Sequence, residues 1–202
     1  MSGIDRMNRE RKVNSHQAKK LDVSERLAES FKELVLEKPI EKITIQDITD
    51  RTGVTRGTFY IHFQDKYALL EWICREEIVN PVRTLLWNDM EREAMSFIFV
   101  SILKNKEFYY HVSHMQGQNS FESIVLDCFA EFITDYINEH AANRDRKYKW
   151  LTPETAAVYY SQSMAYVLIS WIRDGMTVSP AEMVDIYEFV THHALTDMIR
   201  EF

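Results

Sequence analysis

No run in this sequence approaches the ~20 apolar residues that a membrane-spanning helix needs. No segment longer than Lys42–Ile45 alternates like a half-buried strand, and that one reads as the start of a helix. Glycine and proline are scarce, five and four in 202 residues, and the prolines fall where helices should begin or end. The implied fold class is all-α. The first thirty residues are charged and lack an apolar core, so no export signal is expected. The two cysteines, Cys74 and Cys128, sit in helix-like stretches and read as reduced, buried side chains of a cytoplasmic protein. Catalytic signatures are missing too: no Glu-x-x-His for a di-metal site, no P-loop, no Gly-x-Ser-x-Gly, no Cys-x-x-Cys. His111 and His114 stand three apart, with no cysteine or carboxylate cluster beside them. No enzyme activity, cofactor or metal is expected.

Charge is unevenly placed. The net value is −7, yet residues 1–66 hold 13 Lys and Arg against 11 Asp and Glu, while the rest hold 11 against 20. A neutral-to-basic head on an acidic body still suits a phosphate surface if the head alone faces it. The basic start (Arg9, Arg11, Lys12, Lys19, Lys20) reads as a solvated tail over 1–15, with DNA contact as the competing reading.

Apolar spacing predicts helices over 16–37, 44–51, 55–61 and from Asp65 onward, then over 81–104, 106–115, 119–142, 153–174 and 179–200. Asn80-Pro81 and Thr152-Pro153 resemble N-cap and N1 pairs, and Ser179-Pro-Ala-Glu182 a full capping box. Gly175 suits a left-handed helix end. The polar stretch 143–149 reads as a loop.

The most informative segment is Gly53–Phe63, "GVTRGTFYIHF". Two short helices flank the turn Thr52-Gly53-Val54, which is a helix-turn-helix layout. Val54, Phe59 and Phe63 face inward, leaving Arg56, Thr58 and Tyr60 to project from the part of the second helix that enters a major groove. Gly57 would be a defect in an ordinary helix, costing about 1 kcal/mol against Ala; without a Cβ, the backbone can approach a sugar-phosphate chain. Tyr60 and His62 suit phosphate oxygens, Lys66 and Thr44 the neighbouring phosphates, and Arg56 a guanine edge.

Residues 43–70, "ITIQDITDRTGVTRGTFYIHFQDKYALL", resemble the TetR/AcrR family of one-component regulators. The matching positions are Ile45, Ile48, Gly53, Val54, Thr55, Gly57, Thr58, Tyr60, His62, Phe63, Lys66 and Leu69. Thr49 and Thr52 replace the usual alanines, and Tyr67 a commoner acidic residue. The resemblance implies an operator surface of Thr44, Gln46, Thr55, Arg56, Gly57, Thr58, Tyr60, His62 and Lys66. It also implies a helix-turn-helix domain over 16–66, joined through the fourth helix to a helical effector-binding and dimerisation domain over 67–202. Residues 170–183 and 104–112 resemble a sub-branch that includes an activator of a dihydroxyacetone-kinase operon.

In that family the last two long helices pair with their copies. Here Ala157, Tyr160, Trp171, Met183, Tyr187, Val190 and Ala194 are the candidate interface. Tyr109, Tyr110, Met115, Phe129, Phe132 and Met164 are candidates for a ligand cavity. The resulting expectation is a homodimeric repressor that holds a palindromic double-stranded operator and responds to a small-molecule effector, with no membrane partner. The alternatives are an activator controlled by a partner protein, or a helical interaction module that has lost operator binding.

Overall fold

A computed structural model describes residues 22–140 and 148–193. Every regular element among these residues is helical, and no helix is long and apolar enough to cross a membrane. The chain divides into two compact units, one ending at Leu70 and the other beginning at Glu71, four residues beyond the boundary expected from the sequence. The basic tail falls outside the described residues.

The first unit contains α1 (22–37), a 3-10 turn (Ile40–Lys42), α2 (Ile45–Thr52), α3 (Arg56–His62) and the start of α4 (Lys66–Cys74). Leu27, Phe31, Ile48, Phe59, Leu69 and Leu70 are fully buried and form its centre. Local chemistry sets the helix ends. Thr44 caps α2 in a reciprocal box: its Oγ1 accepts from Asp47 N at 3.1 Å, and its own N–H donates to Asp47 Oδ2 at 2.7 Å. Lys38, 2.8 Å from that carboxylate, and the Thr44 donors hold Asp47 well below the usual carboxylate range. Thr55 caps α3, and Asp65 Oδ1 accepts from Tyr67 N and Ala68 N to open α4.

Thr49 and Thr52, which replace alanines of the family pattern, are both buried. Their hydroxyls donate back to Gln46 O and Ile48 O, so neither reaches the helix–helix contact unpaired.

The second unit contains a π-turn (Arg75–Val79), α5 (Asn80–Leu86), α6 (Glu91–Lys104), α7 (Lys106–Ser113), α8 (Phe121–His140), α9 (Pro153–Arg173) and α10 (Pro180–His192). α8 packs along α9, and α6 lies against α5 and α10. Phe99 meets Trp171 edge-on at 5.2 Å, and Tyr109 meets Phe121 at 5.8 Å. Cys74 and Cys128 are both free and buried.

Three helix-end expectations change and two hold. Asn80-Pro81 starts no new helix: the π-turn runs straight into α5, and its wider turn accommodates a proline that has no N–H and crowds the carbonyl four residues back. The stretch 81–104 breaks at Trp87–Met90, where Asp89 takes φ 55° and Asn88 Nδ2 donates to Thr84 O at 2.7 Å. Ser179 caps α10 through Glu182 N, but the reciprocal half of the box is not formed. Thr152 does form a full box, with Thr155 in place of an acid. Gly175 takes φ 78° just past α9, the left-handed end expected there.

Candidate nucleic-acid interface

Gly53 shapes the turn between α2 and α3. At φ 73° its own N–H and that of Val54 both donate to Thr49 O, at 2.9 and 3.0 Å. α3 therefore starts only three residues after α2 ends. Phe59, fully buried, and Phe63, 5.9 Å away ring to ring, anchor one side of α3. At 100° per residue Gly57 and Ile61 fall opposite Phe59, with Tyr60 on the flank and Arg56 at the start of the helix, and all four are exposed.

Arg56 has no hydrogen-bond or ion-pair partner among the described residues. Its neighbours differ: Arg51 is held by Glu37 at 2.7 Å, and Arg26 donates to Thr52 O at 2.8 Å. Gly57 stands in the middle of the exposed side. A Cβ there would meet only Thr55 Oγ1, at 3.6 Å, an ordinary contact. Nothing within the unit requires glycine at this position.

The other candidates divide by what already occupies them. Thr55 and Thr58 bond each other at 2.9 Å, and Thr55 Oγ1 accepts from Thr58 N. Thr44 Oγ1 donates to Asp47 at 2.7 Å, and Gln46 Nε2 donates to Asp50. His62 Nδ1 lies 2.9 Å from Ser24 Oγ, which ties α3 to α1. Tyr60 is half exposed, its ring edge-on to Phe59 at 5.6 Å.

Lys66 departs from its expected place on a phosphate. Its ammonium donates to Ile40 O, Glu41 O and Ile43 O at 2.6, 3.1 and 2.8 Å, and burial lowers its pKa. The 3-10 turn and its C-cap residue turn three carbonyls toward Lys66, of which Ile40 O also accepts from Ile43 N at 3.1 Å, and the three donors of one ammonium match them. Ile61, 72% exposed, was not among the sequence candidates; an apolar residue opposite the buried phenylalanines was the available signal.

The second unit holds an apolar cavity of about 250 Å³ between α5, α6, α8, α9 and α10. Of the six residues expected to line one, Phe129, Phe132 and Met164 do. Tyr109 is instead fully buried core, raised by that burial, with its hydroxyl donating to Glu77 at 3.3 Å. Met115 is also core, and Tyr110 lies at the surface. Aromatic spacing gives a helix's period but not which neighbour its faces meet. Glu91, Tyr160 and Tyr187 are also among the lining. Burial, then Tyr160, pushes the Tyr187 phenol up to about 12.

The expected dimer stripe is corrected as well. Ala157, Trp171 and Met183 are buried within their own unit, with Trp171 Nε1 donating to Val178 O at 2.9 Å. Tyr160 and Tyr187 line the cavity, Val190 is half-buried, and Ala194 lies outside the described residues. The inward stripe of α9 is Ala157, Ser161, Ala165, Leu168 and Ile172. Its exposed apolar residues are Val158, Tyr159, Tyr166 and Tyr160, which also lines the cavity, joined on α10 by Ile186.

Comparison with known proteins agrees with this architecture. Residues 32–73 match the family described as bacterial regulatory proteins, tetR family, and residues 92–193 match the family described as transcriptional regulator C-terminal region. The HTH-type transcriptional regulator YvdT of Bacillus subtilis (strain 168) is 37% identical over 115 residues, 57% of this chain and 55% of that protein. YxbF of the same organism, also an HTH-type transcriptional regulator, is 21% identical over 159 residues, 75% of this chain and 40% of that protein. The chain thus spans about half the length of these curated relatives. Among solved structures, the dihydroxyacetone kinase operon activator DhaS shares the fold at TM-score 0.54 and 19% identity, covering 81% of this chain and 90% of that one. So does NalD, the secondary repressor of the MexAB-OprM multidrug efflux pump in Pseudomonas aeruginosa, at TM-score 0.52 and 20% identity, covering 81% and 91%. The families and both curated relatives are transcriptional regulators, not enzymes.

Proposed function

We propose that this chain, which belongs to the TetR family of bacterial transcriptional regulators, is a dimeric cytoplasmic repressor that releases a palindromic operator when a small molecule fills its cavity. One observation carries the reading. Gly57 is exposed in the first turn of α3, costs up to about 1 kcal/mol of helix propensity, and has no neighbour that a Cβ would displace. A residue that weakens its own helix, with no return inside the fold, points to a partner that must come close. The partner is the groove of double-stranded DNA, with Arg56 at a base edge and Tyr60 at a phosphate. Thr44, Gln46, Thr55, Thr58 and His62 frame that contact, most of them through bonds that hold the two helices in place.

A single seven-residue recognition helix reads few base pairs, so the operator needs two. The exposed face of α9, with Tyr159 and Tyr166, supplies a self-complementary surface for a second copy. The two recognition helices then read half-sites about 34–36 Å apart, or a little more. The effector acts by shifting a population between two separations of those helices. Ile78 and Val79 of the π-turn line the cavity, and one unbroken helical run joins them to α4, which begins at Lys66 in the first unit. A molecule in the cavity presses on that run.

The test is selection of bound sequences from a random DNA library by the purified chain. A recovered palindrome whose affinity falls with salt, at a log–log slope near −0.9 for each neutralised phosphate, supports the proposal. A chain that holds every sequence equally, or none, overturns it.

A further inference from the structure

The cavity's lining selects a class of ligand, an inference that rests on the reading that this cavity takes an effector. Its walls are almost wholly apolar, with Ile78, Val82, Ile98, Phe132, Ile133 and Met164 among them. No lysine or arginine lines it; His192 does, with its Nδ1 2.8 Å from Glu188 O. The nearby guanidiniums are paired: Arg83 lies over the Phe132 ring and pairs with Asp135 at 3.0 Å. Arg92 pairs with Asp185 at 2.6 Å and with Glu188.

Glu91 is the one carboxylate of the lining, and it has no ion-pair partner among the described residues. Tyr160 and Tyr187 line the same cavity, and tyrosine faces attract cations. At about 250 Å³ the space lies just below the ~300 Å³ at which small-molecule pockets begin, enough for one compact molecule.

We propose that the cavity binds a compact hydrophobic monocation, its ammonium at Glu91 between Tyr160 and Tyr187 and its apolar part against Val82, Phe132 and Met164. Carboxylates of the same size bind more weakly, because no lysine or arginine lines the cavity and Glu91 repels them.

The experiment is calorimetric titration of the full chain with three eight-carbon probes: octylammonium, 1-octanol and octanoate. Octylammonium should bind roughly tenfold tighter than octanol, and octanoate most weakly. In Glu91→Gln the amine should fall to the alcohol's level. Met164→Trp and Ile133→Phe, each checked for unchanged helicity, should fill the cavity and remove amine binding. Octanoate binding as tightly as the amine, an amine preference that survives Glu91→Gln, or no binding by any probe overturns the proposal. Operator release is measured separately: an amine that binds in the expected order yet leaves the DNA complex intact keeps the ligand class and overturns the effector role.

Discussion

Thr44, Thr52, Thr55 and Lys66 in the first unit all bond backbone groups, whereas Arg75, Arg83 and Arg92 in the second reach carboxylates on neighbouring helices. The difference separates two kinds of rigidity. A side chain bonded to backbone fixes where a helix starts and how the next one leaves it. An exposed ion pair between helices contributes only ~0–1 kcal/mol and sets no helix end. The head is thus built to present one short helix in one pose. The body is a stack of longer helices around a cavity, with side-chain bonds that allow sliding.

The sharpest test of this contrast is Gly57, where the head gives up stability for its surface. Gly57→Leu should drop operator binding to the non-specific level, roughly 10³-fold or more, with the dimer still folded. Gly57→Ala should raise the head's stability by about 1 kcal/mol while still weakening operator binding. Opposite signs in melting and in DNA titration are the expected pattern; equal affinity in the leucine variant removes the stated reason for the glycine.

The body's counterpart lies on its outer face. Tyr159→Glu with Tyr166→Glu places like charges opposite each other across a two-fold interface, which costs several kcal/mol. Sedimentation should show a dimer dissociating about 10²-fold more readily, with helicity unchanged because both residues are exposed. A dimer of undiminished strength would place the interface elsewhere.

Arg56 and Lys66 divide the head's own cations into reading and holding. Arg56→Ala should cost about 1–3 kcal/mol on the operator and relax preference at one base pair per half-site, with no change in melting. Lys66→Ala should remove the ammonium from three carbonyls, of which Ile40 O keeps a backbone donor, and cost roughly 1–3 kcal/mol of stability. The salt slope of operator binding should then stay where it was. A slope reduced by about 0.9 would instead put Lys66 on a phosphate.

How much of this was legible in the sequence follows the same line. Gly53, Thr55 and Phe59 fix α3 within a few residues of each other, so the helix-turn-helix could be read without tertiary information. The carbonyls that Lys66 holds were not legible, because its motif position says nothing about a 3-10 turn more than twenty residues upstream. In the body, periods were readable but faces were not. α9 carries tyrosines on more than one face: Tyr160 lines the cavity while half exposed, and Tyr159 and Tyr166 are exposed away from it. Packing against α8 and α10, not composition, decides which face meets the cavity. Pro81 misled for a similar reason: a proline usually starts a helix or ends it, and only the π-turn ahead of it lets the helix continue.

The smallest expected effect tests whether the head's polar fixings matter for its stability. Asp47 caps α2 and pairs with Lys38, which holds its carboxyl far below the usual value of about 3.9. A group whose pKa is lower folded than unfolded stabilises the fold above the unfolded value and loses that contribution as pH falls through the folded one. The head's melting temperature should therefore begin to slope downward below about pH 4. Asp47→Asn keeps a side-chain oxygen near Thr44 N but loses the charge, so it should start slightly lower at neutral pH and be flatter in acid. Parallel curves for the two proteins would mean that the capping box, and not the charge on it, sets the start of α2.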